Sequence, residues 1–326
     1  EGFPSPQRAP NKITSIAIHD SVTDQYFCFV LDEKSVLNGD FGKNVTVEPF
    51  QTEYELLQRF FVKYLEIRPT IITGWNTDKF DIPYLYNRAQ QIVGKNIADC
   101  LSPVQSVYYN KYREKYMIAG VSCLDYIMLY KNFTFSSKPS YRLDEIGKSE
   151  VGTAKISYDG TLNDLYENNR KTFVKYNLND VHIVVELDKK LDYIETSRGI
   201  CHIGHVAYED IYWSSRYLEG AILTYCKKRN IVVPNKNPYG RQMMGKDDKF
   251  AGAYVQDPIK GRHEWVYDLD ITSMYPSVIR SLNISPETKV GKVLGWNAEE
   301  FIKNDNKKTY TLMSGKEEIC KYDEKE

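Results

Sequence analysis

Asp270 has a setting in which a side chain can do chemistry. Alternating apolar residues over 265–271 predict a strand with its acidic residues on one face. Pro276, which suits the first turn of a helix, predicts that a helix starts soon after this strand, with Thr272 or Ser273 as its cap. Asp270 is therefore expected at a junction between a strand and a helix.

Such a junction suits phosphate and metal chemistry. A carboxylate on a rigid strand can hold a hard cation, while the backbone N–H groups at the start of a helix face an anion. A nucleoside triphosphate with its Mg²⁺ ion would occupy both halves. The spacing alone equally fits a simpler role, in which Asp270 caps the helix or lies on a solvated face of the strand.

Asp81, Tyr176 and Asp180 form a second candidate set. Asp81 stands where a helix opens at Pro83, after an apolar, β-branched strand over 70–76. Tyr176 and Asp180 are four residues apart in a predicted helix, so they share one face. By themselves these residues also fit a helix cap, worth about 1 kcal/mol, and an ordinary surface pair.

The order of the predicted elements that would position these residues is typical of an α/β layer architecture. Strands over 13–19 and 26–31 form a hairpin, and 53–67 is an amphipathic helix that precedes the strand over 70–76. The remaining predictions are a hairpin of 107–109 with 116–119, an apolar element over 121–130, a helix start at 140–146, a loop over 147–160, a long helix over 162–194 and connecting helices over 198–230.

The composition is that of an ordinary soluble globular protein. The 326 residues suffice for roughly two domains, and no segment approaches 18 uninterrupted apolar residues, so we expect a cytoplasmic protein without membrane contact. Six scattered cysteines without C-x-x-C spacing favour reduced thiols over a zinc site. A net charge of −1 confines any nucleic-acid surface to a local region, and the most basic window is 227–262.

The stretch Asp-Ile-Thr-Ser-Met-Tyr-Pro-Ser-Val-Ile that begins at Asp270 closely resembles the first palm motif of the family B DNA polymerases. Its continuation is similar to the version found in T-even-like bacteriophages. By this resemblance Asp270 would be one of two palm aspartates that hold metal ions, and Tyr275 would be the steric gate that excludes a 2′-hydroxyl. The residues implied to line the triphosphate site are Ile271, Thr272, Ser273, Met274 and Tyr275.

Gly74-Trp75-Asn76 followed by Phe80-Asp81 resembles the second exonuclease motif of the proofreading domain in that family, and Tyr176-x-x-x-Asp180 resembles the third. The resemblance implies that Asp81 and Asp180 hold Mg²⁺ in a two-metal site, with Mn²⁺ as an alternative ion. The Tyr176 hydroxyl would orient the attacking water. Asn76 and Phe80 would touch the frayed 3′ strand.

Other parts of the family pattern do not occur in the sequence. The first exonuclease motif, Asp-x-Glu, is absent, and neither the finger-helix motif nor the second palm aspartate motif follows Asp270. A stretch resembling the family linker between exonuclease and palm is present and implies that Gly252, Ala253 and Tyr254 contact the template backbone. The resemblance thus spans the whole chain but implies an internal slice of a longer enzyme.

The sequence therefore predicts an α/β fold in three parts. These are an RNase H-like exonuclease domain (a mixed sheet with helices) over 1–195, a helical connection over 196–249 and the beginning of an α+β polymerase palm over 250–326. The implied activity is template-directed DNA synthesis with 3′–5′ proofreading. The implied partners are a DNA primer-template, a single-stranded 3′ end, dNTP, the missing polymerase segments and a sliding clamp.

Two other functions compete with this one. The chain could be a non-catalytic DNA-binding or scaffold half of a split polymerase, as the absent Asp-x-Glu motif favours. The retained Asp81, Tyr176, Asp180 and Asp270 argue against that alternative. A stand-alone RNase H-like nuclease would leave the palm motif unexplained.

Overall fold

The computed structural model describes residues 4–158, 160–233, 235, 255–294, 309–314 and 317–323. The contacts of the chain divide it into two units, Glu1–Pro234 and Asn235–Glu326. The hydrophobic clusters of the described residues all lie in the first unit. The three-part division with boundaries after 195 and 249 stays a prediction.

The first unit opens with a three-stranded sheet of β1 (Ser15–Asp20), β2 (Gln25–Leu31) and β3 (Val45–Phe50). β1 and β2 form the predicted antiparallel hairpin, and β3 runs parallel to β2. Because side chains alternate along a strand, β2 is buried on both faces. Phe29 and Leu31 pack in one hydrophobic cluster, whereas Cys28 and Val30 pack in another.

A helix covers each face of β2. α1 (Glu53–Ile67) has the predicted bounds and turns its apolar side chains toward Phe29 and Leu31. Thr52 and Glu55 close a capping box at its start, which satisfies two backbone N–H groups that the helix itself cannot use. On the other face, Val174 and Leu178 of α7 (Arg170–Leu191) pack against Cys28 and Val30.

A pair of parallel strands, β4 (Ile71–Gly74) and β7 (Ser122–Asp125), lies next along the chain, with Gly74 opposite Asp125. The predicted apolar element over 121–130 is in fact two elements, β7 and a helix. Their junction is at Asp125, whose side chain caps that helix by accepting a hydrogen bond from the Ile127 N–H. The elements around this pair are α2 (Asp81–Ile92), α3 (Lys95–Ala98), the antiparallel hairpin of β5 (Val107–Asn110) and β6 (Lys115–Ile118), and α4 (Tyr126–Phe133).

Two predictions about the second half of this unit were wrong. The predicted loop over 147–160 begins only after Val151, and the predicted helix over 162–194 is interrupted twice. Asn169 and Asp192 interrupt it, the first in a non-helical conformation and the second left-handed. The helices are α5 (Leu143–Val151), α6 (Leu162–Asn168), α7, α8 (Tyr193–Gly204) and α9 (Ser214–Lys228), with 3-10 helices at Asp99–Leu101 and Tyr208–Tyr212.

The break at Asn169 has a local cause. The Asn169 side chain accepts a hydrogen bond from the Thr172 N–H and so caps α7. Beside it, the Arg170 guanidinium and the Tyr166 hydroxyl both donate to the carbonyl oxygen of Leu31, at 2.5 and 2.9 Å. The chain therefore bends so that two side chains can satisfy a buried backbone group at the end of β2.

The second unit contains α10 (Met274–Ser281), a 3-10 helix at Pro286–Thr288 and an antiparallel sheet in the order β10-β9-β8. Its strands are β8 (Lys292–Leu294), β9 (Thr309–Ser314) and β10 (Glu317–Asp323). The helix predicted after Asp270 is confirmed, with Pro276 in its first turn.

The strand predicted over 265–271 was wrong. Within the described ranges no strand pairs with this stretch, and its alternating apolar residues remain exposed, Leu269 by 92%. A single strand gains neither ladder hydrogen bonds nor burial, so the alternating pattern alone does not produce one.

The first unit thus has a mixed α/β fold, with a sheet covered by helices. No helix in the part of the chain that the structure describes is long and apolar enough to cross a membrane.

Candidate active site

Lys155 joins the two residues that sequence spacing placed on one face of α7. Its Nζ donates to Asp180 Oδ2 at 2.6 Å and to the Tyr176 hydroxyl oxygen at 3.0 Å. The Lys155 backbone N–H is itself held by Asp144 Oδ1 at 2.6 Å. One cluster therefore forms from a face of α7, a lysine in a loop and the start of α5. In the same cluster, the ring of Tyr158 contacts the ring of Tyr176 edge-on, with 5.4 Å between the ring centroids.

The charges of this cluster are partly removed from water. Burial lowers the pKa of Lys155, but the hydrogen bond and charge of Asp180 outweigh it, so the Lys155 pKa lies above its ordinary value. Burial raises the pKa of Asp180, and the hydrogen bond and charge of Lys155 offset only part of that shift. The lysine is thus the group that favours the ionised form of Asp180.

Asp81 is the first residue of α2, whose capping position, Phe80, makes no side-chain cap hydrogen bond. Burial among protein atoms, together with the charges of Asp125 and Asp180, raises the pKa of Asp81 to about 6. The residue retains exposed surface, so solvent weakens this shift. The charge of Asp180 raises this pKa and that of Lys155 lowers it, so both charges act on Asp81.

A turn over 75–80 carries the chain from β4 into α2. Asp125 holds it, because its carboxylate accepts the N–H of Asn76 at 2.9 Å and that of Asp78 at 3.2 Å. Asn76 adopts a left-handed conformation with φ 67° and is exposed, while the ring of Phe80 stacks on Tyr84 at 5.6 Å. Both residues predicted to touch a 3′ strand therefore lie on the turn that leads to Asp81.

Gly74 fits closely into this turn. A Cβ atom at Gly74 would lie 2.4 Å from Cγ2 of Thr77. A side chain at this position would therefore force the Thr77 methyl group to move.

Asp81 and Asp180 meet part of the requirement for a magnesium site. Carboxylate oxygens are the donors that Mg²⁺ prefers, and Asp180 Oδ1 is buried with no hydrogen-bond partner among the described residues. Within those same residues there is no cluster of three or more His, Cys, Asp or Glu side chains that could hold an ion. The donor chemistry of these two carboxylates fits Mg²⁺, but the described residues add no third candidate ligand beside them.

The second unit holds the other predicted site residues. Asp270 and the stretch 271–273 lie directly ahead of α10, and Met274 and Tyr275 are its first two residues. Tyr275 is 65% exposed. The predicted template contacts Gly252, Ala253 and Tyr254 lie outside the described residues.

Sequence reasoning missed Lys155 and Asp125. Lys155 stands in a predicted loop, where neither periodicity nor motif spacing marks it, and only the folded chain brings it to Asp180. Asp125 was hidden inside an apolar element, although a carboxylate between a strand and a helix is the same signal that marked Asp270. The predicted free cysteines are confirmed for those described, Cys28, Cys100, Cys123, Cys201 and Cys226.

Comparison with known proteins gives two family matches. The family described as "DNA polymerase family B, exonuclease domain" matches residues 1–146, and "DNA polymerase family B" matches residues 212–326. The turn 75–80 and Asp125 fall in the first match, and the Asp270 stretch falls in the second. Tyr176 and Asp180 lie between the two matches.

Individual relatives cover both parts of the chain. The DNA-directed DNA polymerase of Escherichia phage RB69 is 35% identical over 318 residues, which is 89% of this chain and 35% of the relative. That of Enterobacteria phage T4 is 31% identical over 329 residues, 92% of this chain and 36% of the relative. DNA polymerase 1 of Saccharolobus solfataricus is 29% identical over 88% of this chain and 33% of the relative. The chain thus spans about a third of the length of these relatives.

Proposed function

The chain belongs to the family B DNA polymerases, with an RNase H-like exonuclease domain and part of the polymerase domain, and from this membership we propose that it supplies the editing site and the start of the synthesis site of a replicative DNA polymerase. The proposed parent activity is template-directed DNA synthesis with 3′–5′ proofreading. The observation that carries the editing part is the contact of Lys155 with both Asp180 and Tyr176, beside Asp81.

The hydrogen bonds and position of these side chains support a task for each of them in the editing reaction. The Tyr176 oxygen accepts a hydrogen bond from Lys155, so its own O–H remains to donate to another oxygen, and a water that attacks a phosphodiester is a suitable acceptor. Asp81 and Asp180 would hold Mg²⁺, or Mn²⁺, which when bound activates a water and stabilises a leaving 3′-oxygen. Asn76 and Phe80, on the turn ahead of Asp81, would contact the single-stranded 3′ end.

In the palm segment, Asp270 would hold a metal ion beside the incoming dNTP. Ile271, Thr272, Ser273, Met274 and Tyr275 would line its site, with Tyr275 as the steric gate. Gly252, Ala253 and Tyr254 would contact the template strand of the primer-template. A sliding clamp, the polymerase segments outside this sequence, and action in the cytoplasm of a host cell belong to the same proposal.

An exonuclease assay on the purified chain tests the editing site. The chain is incubated with a 5′-labelled single-stranded oligonucleotide and Mg²⁺ beside D180A, and the products are resolved on a sequencing gel. Because the Asp-x-Glu motif is absent, we expect the isolated chain to be inactive or only partly active, and D180A to abolish any ladder of shortened products that it forms. E186A is the matched control on the same helix, since Glu186 makes only a surface ion pair with Lys189 at 3.0 Å. A ladder that survives D180A would contradict the assigned role.

Trans-complementation tests the wider proposal. The remaining polypeptide of the T4 or RB69 relative is mixed with this chain at near-stoichiometric ratio, and both synthesis and editing are measured. Restored activity that depends on Asp180 and Asp270 supports a polymerase segment. No activity in either assay would contradict it.

A non-catalytic DNA-binding role is the second candidate, favoured by the lack of a third metal-binding side chain near Asp81 and Asp180 in the described residues. That role predicts salt-dependent binding to a primer-template that is unchanged in D81A and D180A. Binding that weakens in these variants only when Mg²⁺ is present would favour the editing site instead.

A further inference from the structure

We propose that Lys115 is a positioning residue for Asp81, acting through an ion pair with Asp78 that fixes the turn over 75–80. This inference rests on the proposed editing function, in which Asp81 holds a metal ion. It concerns a residue of the β5–β6 hairpin that neither the motifs nor the comparisons single out.

The contact between hairpin and turn is a desolvated ion pair. Lys115 Nζ lies 2.7 Å from Asp78 Oδ2, and the two side chains are only 9% and 13% exposed. The same ammonium donates to the carbonyl oxygen of Cys123 in β7 at 3.1 Å. Lys115 therefore ties β6, β7 and the turn together at one point.

The backbone of Asp78 belongs to the arrangement that holds the turn. Its N–H donates to Asp125 Oδ2, and the Asn76 N–H donates to Oδ1 of the same carboxylate. The turn is thus held from both sides, by a carboxylate at the end of β7 and by the ammonium of β6. Among the described residues, Lys115 is the one side chain that makes a hydrogen bond or ion pair with the carboxylate of Asp78.

The conformation of the turn over 75–80 sets where α2 begins. The N–H of Phe80 donates to the carbonyl oxygen of Asn76 at 3.2 Å, and that of Ile82 donates to the carbonyl oxygen of Thr77 at 3.0 Å. α2 has no side-chain cap of its own, so the backbone of the turn determines the direction in which Asp81 enters the helix. A shift of Asp78 would move this first residue.

The cost of the ion pair supports a role beyond stability. Removing two charges from water is expensive, and apolar residues of similar size often serve a fold equally well. A buried charge pair does, however, fix two groups at one distance and orientation, which loose apolar packing does not. Fixed geometry is what a metal-binding carboxylate requires.

Hydrogen–deuterium exchange of the full chain tests the link without requiring catalysis. The variants are K115M, K115R and the double variant K115M/D78N, which leaves no buried unpaired charge if K115M alone fails to fold. R113M is the matched control, because Arg113 of the same hairpin makes an ion pair with Asp210, at 2.9 Å, rather than with a residue of the turn. Peptides covering 74–81 and 53–67 report on the turn and on global unfolding, respectively.

We expect the double variant to exchange about tenfold faster in 74–81 and at the wild-type rate in 53–67. K115R and R113M should keep the wild-type rate in both peptides. The proposal is overturned if 74–81 is unchanged in the double variant, or if its exchange rises only in step with 53–67.

The oligonucleotide assay separates this inference from the proposed function. A wild-type ladder that slows about tenfold in K115M/D78N and recovers in K115R supports the positioning role. A ladder unaffected by the double variant overturns it. If the wild-type chain produces no ladder, the proposed editing by this chain fails, and the exchange experiment still decides whether Lys115 positions the turn.

Discussion

At the scale of single residues, Lys155 acts on the charge of the half-buried Asp180 carboxylate in the proposed editing site. Burial pushes the Asp180 pKa upward, and the adjacent ammonium counters the shift while holding the Tyr176 hydroxyl. One cation thereby acts on the charge of the proposed metal ligand and on the direction of the Tyr176 hydroxyl. Two predictions belong to this scale.

The first concerns K155M. Without the ammonium the pKa of Asp180 rises further, so the carboxylate is ionised only at higher pH. We expect the rate of the oligonucleotide assay to fall about 100-fold at pH 7 and its pH midpoint to move upward. K148M, which alters an exposed lysine on α5, is the control. A pH midpoint identical to that of the wild type would count against this role of Lys155.

The second concerns Asp125, which is 1% exposed and whose pKa burial raises to about 6. Because the folded state holds this proton more tightly than the unfolded chain, the stabilisation that the proton gives is fully present below about pH 4. It is lost as pH rises from about 4 through about 6, and the free energy of unfolding falls by about 3 kcal/mol over that range.

Urea unfolding measured between about pH 3.5 and about pH 8, a range that brackets the transition, checks this prediction. D125N lacks one of the two carboxylate oxygens that accept hydrogen bonds from the backbone of the turn, so it should be less stable overall. Its free energy of unfolding should also depend less on pH than that of the wild type. An equal pH dependence in D125N and wild type would refute the assignment.

At the scale of elements, the local sequence pattern predicted a helix correctly where its apolar face and its capping residues define the same segment. α1 was predicted with its observed bounds from its apolar face, and the Thr52–Glu55 capping box seen in the structure begins the same segment. The helix over 162–194 was wrong because periodicity continues through Asn169, whereas a tertiary contact between Arg170 and Leu31 bends the chain there. No pattern within the helix encodes that contact.

The capping role of Asn169 can be measured. N169A removes the acceptor of the Thr172 N–H, so we expect a loss of about 1 kcal/mol in the free energy of unfolding. N168A, at the exposed neighbouring position, should change it by less than about 0.5 kcal/mol. Urea denaturation of both variants gives the comparison, and equal losses would show that Asn169 does not act as a cap.

The turn at Gly74 makes a sharper prediction about an element. G74A places a methyl group against Thr77 Cγ2, so we expect a destabilisation of about 1–3 kcal/mol. T77S removes Cγ2 and should recover most of this loss in the double variant G74A/T77S. A double-mutant cycle by urea denaturation measures the coupling, and additive effects would contradict the steric explanation.

At the scale of the whole molecule, contacts between residues distant in the sequence are what the sequence pattern could not predict, whereas local spacing was predictable. The spacing of Tyr176 and Asp180 is local, and their shared face was predictable. Their contact with Lys155 joins residues 25 positions apart through a loop, and it depends on how α5 and α7 pack. The strand over 265–271 failed for a related reason, since strands form only against a partner.

The distribution of the cores leads to a prediction for the first unit as an isolated chain. All four hydrophobic clusters of the described residues lie within it, so a fragment of residues 1–234 should unfold cooperatively near the urea midpoint of the full chain.

A fragment of residues 1–213 is the comparison, because it lacks α9. That helix packs closely on α8, where a Cβ atom at Gly220 would collide with the carbonyl oxygen of Gly204. The shorter fragment exposes the surface of α8 that α9 covers, and the hydrophobic cluster that contains Cys201 loses Tyr217. We therefore expect a lower urea midpoint for the shorter fragment than for the longer one. Equal midpoints for the two fragments would place α9 outside the cooperative unit, and loss of a cooperative transition in the longer fragment would mean that the first unit depends on the second.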